Sequence, residues 1–284
     1  MNFDLKVCSG FSDRRPNIVT CLVVGLGLML GMTAQAQEAG GHDADELAKQ
    51  LSNPVAALIS LPFQFNYDTG YPDDDAERWQ LNIQPVAPFS LSADWNVISR
   101  TILPVIDQTG VVNSDSQSGI GDITQSLFFS PRKPTASGWI WGVGPVFLLP
   151  SASDDLLGTE KWGIGPTAVV LKQTEAGWTY GALVNHLWSV AGEDDRADVN
   201  STFLQPFLTK ALGQGQTVSI NLESTYDWEG EQWTIPMNVT YSKVLKFGSQ
   251  LASIAGGARY YLDAPDGGAD WGLRLTVTLL FPRK

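Results

Sequence analysis

Thiols are nearly absent from this chain: its 284 residues include two cysteines, Cys8 and Cys21, both within the first 36 positions. Without that segment there is no disulfide, no thiolate metal site and no cysteine nucleophile. Histidine is as scarce, with only His42 and His186, so imidazole ligands are too few for a transition-metal centre. Basic residues are also short, 18 Lys and Arg against 30 Asp and Glu, for a formal net charge of −12. A chain this acidic offers no electrostatic footprint for nucleic acid, and that partner class is excluded. No Gly-rich loop follows a strand and opens a helix, so nucleotide binding has no support. Neither a cofactor nor a bound metal is expected. Asp73-Asp74-Asp75 lacks the spacing of a calcium loop and reads as a solvated charge run.

Long apolar runs are missing too, apart from Ile18–Met32. Arg14 and Arg15 precede that run and Ala34-Gln35-Ala36 follows it, so residues 1–36 read as a secretory signal. No later segment approaches the roughly 20 apolar residues of a membrane helix.

What the chain does have is alternation. In Thr217–Trp228, Thr217, Ser219, Asn221, Glu223, Thr225 and Asp227 alternate with Val218, Ile220, Leu222, Ser224, Tyr226 and Trp228. A period of two between a polar and a largely apolar face, ending in Tyr and Trp, is that of a strand between an aqueous interior and lipid. Twelve such segments follow one another: 59–68, 79–89, 95–106, 122–130, 139–149, 161–172, 178–190, 200–210, 217–228, 232–246, 250–262 and 271–281. The sequence therefore predicts an all-β fold, an antiparallel transmembrane β-barrel of about twelve strands. Residues 59–284 form the barrel, and residues 37–58 form a leader. Within the leader, Asp43 and the Leu47/Leu51 spacing predict a short amphipathic helix, stopped at Asn53-Pro54. It could lie on the membrane, sit in the periplasm, serve as a tether or tuck into the barrel as a plug.

The connections alternate between long and short. Long ones carry Asp73–Asp75, Asp154, Asp155, Asp194, Asp195, Glu229, Glu231, Asp266 and Asp270, while Arg132, Lys133, Lys172, Lys210 and Lys246 flank short turns. Long loops face outward in outer-membrane barrels, so an acidic outer rim is expected. The ten tryptophans, Trp79, Trp95, Trp139, Trp141, Trp162, Trp178, Trp188, Trp228, Trp233 and Trp271, all fall near strand ends. They predict two interfacial girdles. The paired motifs WGVGPVFLLP (141–150) and WGIGPTAVVL (162–171) are expected to ease a bend in neighbouring strands.

Carried along each strand, the alternation turns Gln64, Asn66, Gln80, Asn82, Gln84, Arg100, Asp122, Thr124, Ser126, Asn185, Asn221, Glu223, Asn238, Arg259, Arg274 and Thr276 inward, for a lumen polar throughout. Arg259 and Arg274 are expected toward the outer mouth, with Glu223 and Arg100 nearer mid-height. Arg100, Glu223, Arg259 and Arg274, with Gln64 and Asn66 beside the closing strand, are either selectivity groups or a structural ion-pair network.

No catalytic residue is assigned and no enzyme is expected. A Ser–His hydrolase needs the two groups within hydrogen-bond reach. His186 points to lipid beside Trp188, where a serine would be required, and Ser189 points inward.

These segments resemble a family of Gram-negative outer-membrane barrels usually labelled only as transporters, related to the barrel of the meta-pathway of phenol degradation and sometimes named neuromedin U. The resemblance rests on Leu51–Asp68 (LSNPVAALISLPFQFNYD), Leu81–Pro88 (LNIQPVAP), Trp95–Val105 (WNVISRTILPV), Gly119–Pro131 (GIGDITQSLFFSP), Trp139–Pro150, Gly158–Lys172 and Ser224–Trp228. It implies an outer-membrane location and a transport role, and brings neither a substrate nor a catalytic motif. The last residues, Pro282-Arg283-Lys284 after Phe281, depart from the aromatic ending of many such barrels. The partners expected are membrane lipid, lipopolysaccharide, the outer-membrane assembly machinery and an unidentified small solute. The expected function is a channel for small solutes through a polar lumen. Alternatives are a closed structural or partner-docking barrel, and an uptake barrel for hydrophobic compounds along Phe63, Phe65 and Phe203.

Overall fold

The computed structural model describes residues 36–38, 41–73, 75–112 and 115–282. The predicted signal, up to residue 35, lies outside them. Strands with one polar and one apolar face avoid exposed edges in lipid only by closing on themselves, and twelve staves do so. β1 is Ile59–Thr69, β2 runs Glu77–Ile83 and Val86–Ser90, β3 is Trp95–Thr109, and β4 runs Ser116–Ile120 and Ile123–Pro131. β5 is Trp139–Leu149, β6 Lys161–Gln173, β7 Trp178–Gly192 and β8 Asn200–Gly213. β9 runs Gln216–Leu222 and Ser224–Asp227, β10 runs Gln232–Thr234 and Pro236–Phe247, β11 is Gln250–Tyr261 and β12 is Trp271–Phe281. Each stave pairs antiparallel with the next, and β12 closes on β1 from Trp271↔Thr69 to Phe281↔Ile59.

The interruptions have local causes. Pro85 has no N–H for the ladder and breaks β2, and β10 is broken at Ile235, before Pro236. Opposite that break β9 skips Glu223, whose backbone N–H still donates to Pro236 O at 3.0 Å. The β8–β9 turn is two residues, Gln214 and Gly215, with φ of 56° and 71°, the mirror-image turn whose twist suits a hairpin. In the paired Trp-Gly-x-Gly-Pro motifs, Pro145 sits opposite Pro166. A Cβ on Gly144 would strike the Leu127 carbonyl oxygen, and one on Gly165 the His186 carbonyl oxygen. Close backbone approach at a bend is therefore what those glycines permit.

All ten tryptophans lie on the outward parity. Trp95, Trp139, Trp141 and Trp178 ring the short-turn end, and Trp79, Trp162, Trp188, Trp228, Trp233 and Trp271 ring the long-loop end. At the short-turn end Lys172 and Lys210 lie over the rings of Trp139 and Trp178, at 5.8 and 5.0 Å. Lysine over tryptophan at an interface keeps the charge wet while the ring stays in the boundary layer.

The leader helix, α1 (Gly41–Leu51), lies across the short-turn end. Ala44, Leu47 and Ala48 form one buried face and pack on Leu58, Val244 of β10 and Leu280 of β12. Asp45 accepts from the Gly215 backbone N–H at 2.7 Å, and the Lys49 carbonyl accepts from Gln173 Nε2 at 2.8 Å. Before the helix, Ala36–Glu38 adds a short strand beside Leu245–Phe247.

Candidate functional site

The alternation fixes which side chains reach the lumen, and the stave register decides which of them meet. Arg274 of β12 pairs with Asn66 of β1, and Gly272 with Asp68. Arg259 of β11 lies opposite Asn238 of β10, which lies opposite Asn221 of β9. Glu223 follows on the same face as Asn221. It accepts a two-pronged contact from Arg274, Nη1 to Oε1 at 2.7 Å and Nη2 to Oε2 at 2.8 Å. Arg274 Nε donates to Asn66 Oδ1 at 2.7 Å. Arg259 bridges Glu223 at 3.2 Å and Asp68 at 3.4 Å. Burying these charges is tolerable because each is paired and hydrogen-bonded.

Arg274 thus lies at the level of Glu223, not separately toward the mouth as the sequence suggested. Two members of this region were not anticipated. Asp68 continues the Gln64, Asn66 alternation by one step, so its inward direction was readable. Arg78, opposite Asp68, belongs to the same parity and has a buried Nε without a hydrogen-bond partner. Tyr71, in the loop above, is pushed up to about 12 by burial and by Asp68 beside it, against the opposing pull of Arg78 and Arg259. It is therefore a neutral phenol at physiological pH.

Arg100 stands apart. Its Nη2 donates to Gln84 Oε1 at 3.0 Å, and no carboxylate pairs with it among the described residues. Gln64, also anticipated, lines the same space, a cavity of about 330 Å³ bounded below by the leader from Ala48 to Leu58 and including Arg100, Gln84, Thr276 and Arg274 in its wall.

The expectation of a lumen polar throughout fails on one side. On β3 to β8, Ile98, Phe128, Val169, Leu171 and Leu183 face inward as one buried cluster, joined by Phe203 and Phe207. Val146, Leu148 and Leu187 continue it toward the outer end. The interior therefore has an apolar wall facing a polar one. Val55, in the segment after α1, inserts into the apolar cluster, and the Ser52 hydroxyl lies 2.9 Å from that of Thr179 on the β7 lumen face. Of the three aromatics considered for a greasy path, only Phe203 faces the lumen. Phe63 and Phe65 pack with Leu81, Ile83 and Val105 on the outer face.

Asp122, expected on the lumen wall, instead anchors an outer loop from the β4 break. It accepts from Ser151 N and Ala152 N, each at 3.1 Å, and from Thr159 N and Oγ1 at 2.6 and 2.7 Å. Arg196, from the neighbouring loop, donates to the carbonyls of Asp155 and Gly158 at 2.6 Å. The two loops lock together beside an outer vestibule of about 760 Å³. At its rim the Ser189 hydroxyl and Lys161 hold the Asp198 carboxyl below the usual carboxylate range.

No protein-family model and no curated protein matches the sequence. Among solved structures, an outer-membrane channel from Pseudomonas putida F1 superposes with a TM-score of 0.63 at 15% identity, covering 79% of this chain and 96% of that one. The fold is that of a Gram-negative outer-membrane barrel. A KdgM porin bound to disordered oligogalacturonate (TM-score 0.44, 10% identity, 80% and 100% coverage) shares only the general barrel form. The same holds for outer membrane phospholipase A from Escherichia coli (0.44, 12%, 86% and 99%). In this chain His186 faces outward, its Nδ1 2.7 Å from Thr202 Oγ1 and its ring 4.1 Å from that of Trp188. Ser189 turns inward and donates to Asp198 at 3.0 Å, so the two groups lie on opposite faces of the barrel wall.

Proposed function

We propose that the chain is an outer-membrane channel for small solutes that rests plugged by its own leader. The observation that carries this reading is the seat of residues 41–58: an amphipathic helix on the short-turn rim, with Val55 set into the apolar wall above it. A purely structural barrel needs no separate element there, whereas a channel with a cavity behind a removable segment does. The likeness in fold to the Pseudomonas putida channel supports it, as does the resemblance to the phenol meta-pathway barrels, whose common element is transport. A non-catalytic reading agrees with His186 and Ser189 lying on opposite faces.

The Ser52 and Thr179 hydroxyls lie 2.9 Å apart, close enough for cysteines at both positions to form a bond of about 2.0 Å. Beyond residue 36 the chain has no other cysteine. In planar bilayers, the S52C/T179C variant is expected to be silent when oxidised and to conduct after reduction. Folded protein that stays silent under reductant would instead favour the closed structural barrel, with the Arg–Glu network as its block.

A further inference from the structure

Among the described residues the lumen holds four guanidiniums, Arg78, Arg100, Arg259 and Arg274, against two carboxylates in the network, Glu223 and Asp68. Arg259 and Arg274 are committed to those carboxylates. Arg100 is the remaining charge in the cavity wall, and among the described residues its hydrogen bonding is the single contact from Nη2 to Gln84. Its Nε and Nη1 carry no further side-chain hydrogen bond among the described residues, and Arg100 is part of the cavity wall.

Glu223 acts on Arg100 only at longer range and is already shared by two other arginines. A guanidinium inside a barrel without a directly bonded counter-charge is costly, and its planar fork matches a carboxylate. The surroundings define the rest of the ligand. Val86 sits directly across the strand from Arg100, and Phe207, Pro62, Ala56 and Leu58 line the same cavity. Hydroxyl and amide side chains share this wall with those apolar ones, so the cavity offers a guanidinium to an anionic head and apolar surface to a short body.

We propose that this cavity is a binding site for one small amphipathic monocarboxylate, its carboxylate on Arg100 and its body between Phe207, Val86 and the underside of the leader. The proposal deepens the channel reading and rests on it for biological meaning, but the site can be tested without transport. Leu58 and Ala56 belong to the leader, so bound ligand and seated plug share a surface.

The experiment is calorimetric titration of the folded full chain in lipid nanodiscs with three probes: hexanoate, hexanamide and acetate. Hexanoate is expected to bind saturably, with hexanamide weaker on the order of tenfold for loss of the charge-assisted contact. Acetate, lacking the body, should also be weaker. R100Q is expected to bring hexanoate down to the level of hexanamide, with R100K recovering part of the difference. Equal binding of hexanoate and hexanamide to the unaltered protein overturns the proposal without recourse to any variant, as does a folded R100Q that binds hexanoate unchanged. Selective hexanoate binding in a protein that never conducts would sink the channel reading and leave the site standing. Conductance with no hexanoate binding does the reverse.

Discussion

Glu223 is the residue on which the interior charge balance turns. Three of its contacts come from two arginines on β11 and β12, so neutralising it leaves both guanidiniums buried beside a single remaining carboxylate. E223Q is expected to lower stability by about 3–5 kcal/mol, the usual result of removing one partner of a buried ion pair. Replacing Glu223, Arg259 and Arg274 together by methionine should cost far less, because no unpaired charge remains. The midpoint of heat-induced unfolding, followed by the gel shift of the folded barrel, distinguishes the two. At this scale the sequence was largely readable: Arg259, Arg274, Glu223, Gln64 and Asn66 all face where alternation sent them. Asp68 was equally legible by parity and was missed because it lies at the strand end, where tyrosines and a long loop obscure the period. The lack of a direct ion pair at Arg100 could not be read, since it depends on how staves far apart in sequence face one another across the lumen.

At the scale of elements, the proposed gating rests on the leader and the two lumen walls. The helix was predictable from Asp43 and the Leu47/Leu51 spacing, but its seat was not. An amphipathic face demands burial without naming a partner, and Leu280 and Val244 lie more than 190 residues downstream. The apolar wall escaped for a related reason. In KWGIGPTAVVLKQ and WIWGVGPVFLL both faces are apolar, so the period of two vanishes and neither face announces itself as lumen. Val55 joins these elements. V55D would set a carboxylate among Ile98, Phe128, Leu171 and Leu183, a burial it avoids only by leaving. The variant is expected to fold as a barrel and to raise the fraction of time spent conducting several-fold over the unaltered chain, as seen in single-channel records. An unchanged open fraction would mean that the leader is not the gate.

The whole molecule separates charge by location. The chain carries a net −12, concentrated in the outer loops, while the lumen has more guanidiniums than carboxylates among the described residues, Arg78 beside Asp68 among them. Screening dilutes the rim charges over a Debye length of about 8 Å at physiological salt, whereas charges within the lumen act along the proposed path itself. The V55D pore is therefore expected to prefer chloride over potassium, measured as the reversal potential across a salt gradient, and R100Q in that background should shrink the preference. A cation preference would show that the acidic rim governs permeation instead.

The charge network also straddles the seam of the barrel. Asn66 lies on β1, the first stave synthesised, and Arg274 on β12, the last, with Glu223 reaching both guanidiniums from β9. The leader precedes β1, and its apolar face rests partly on Leu280 of β12. Neither contact can exist in a nascent sheet whose two edges are still apart. Assembly therefore has a required order: β12 must meet β1 before Arg274 can reach Asn66 and before the leader's apolar face can be fully covered. The segment that comes before every stave in the chain is thus among the last to find its complete seat.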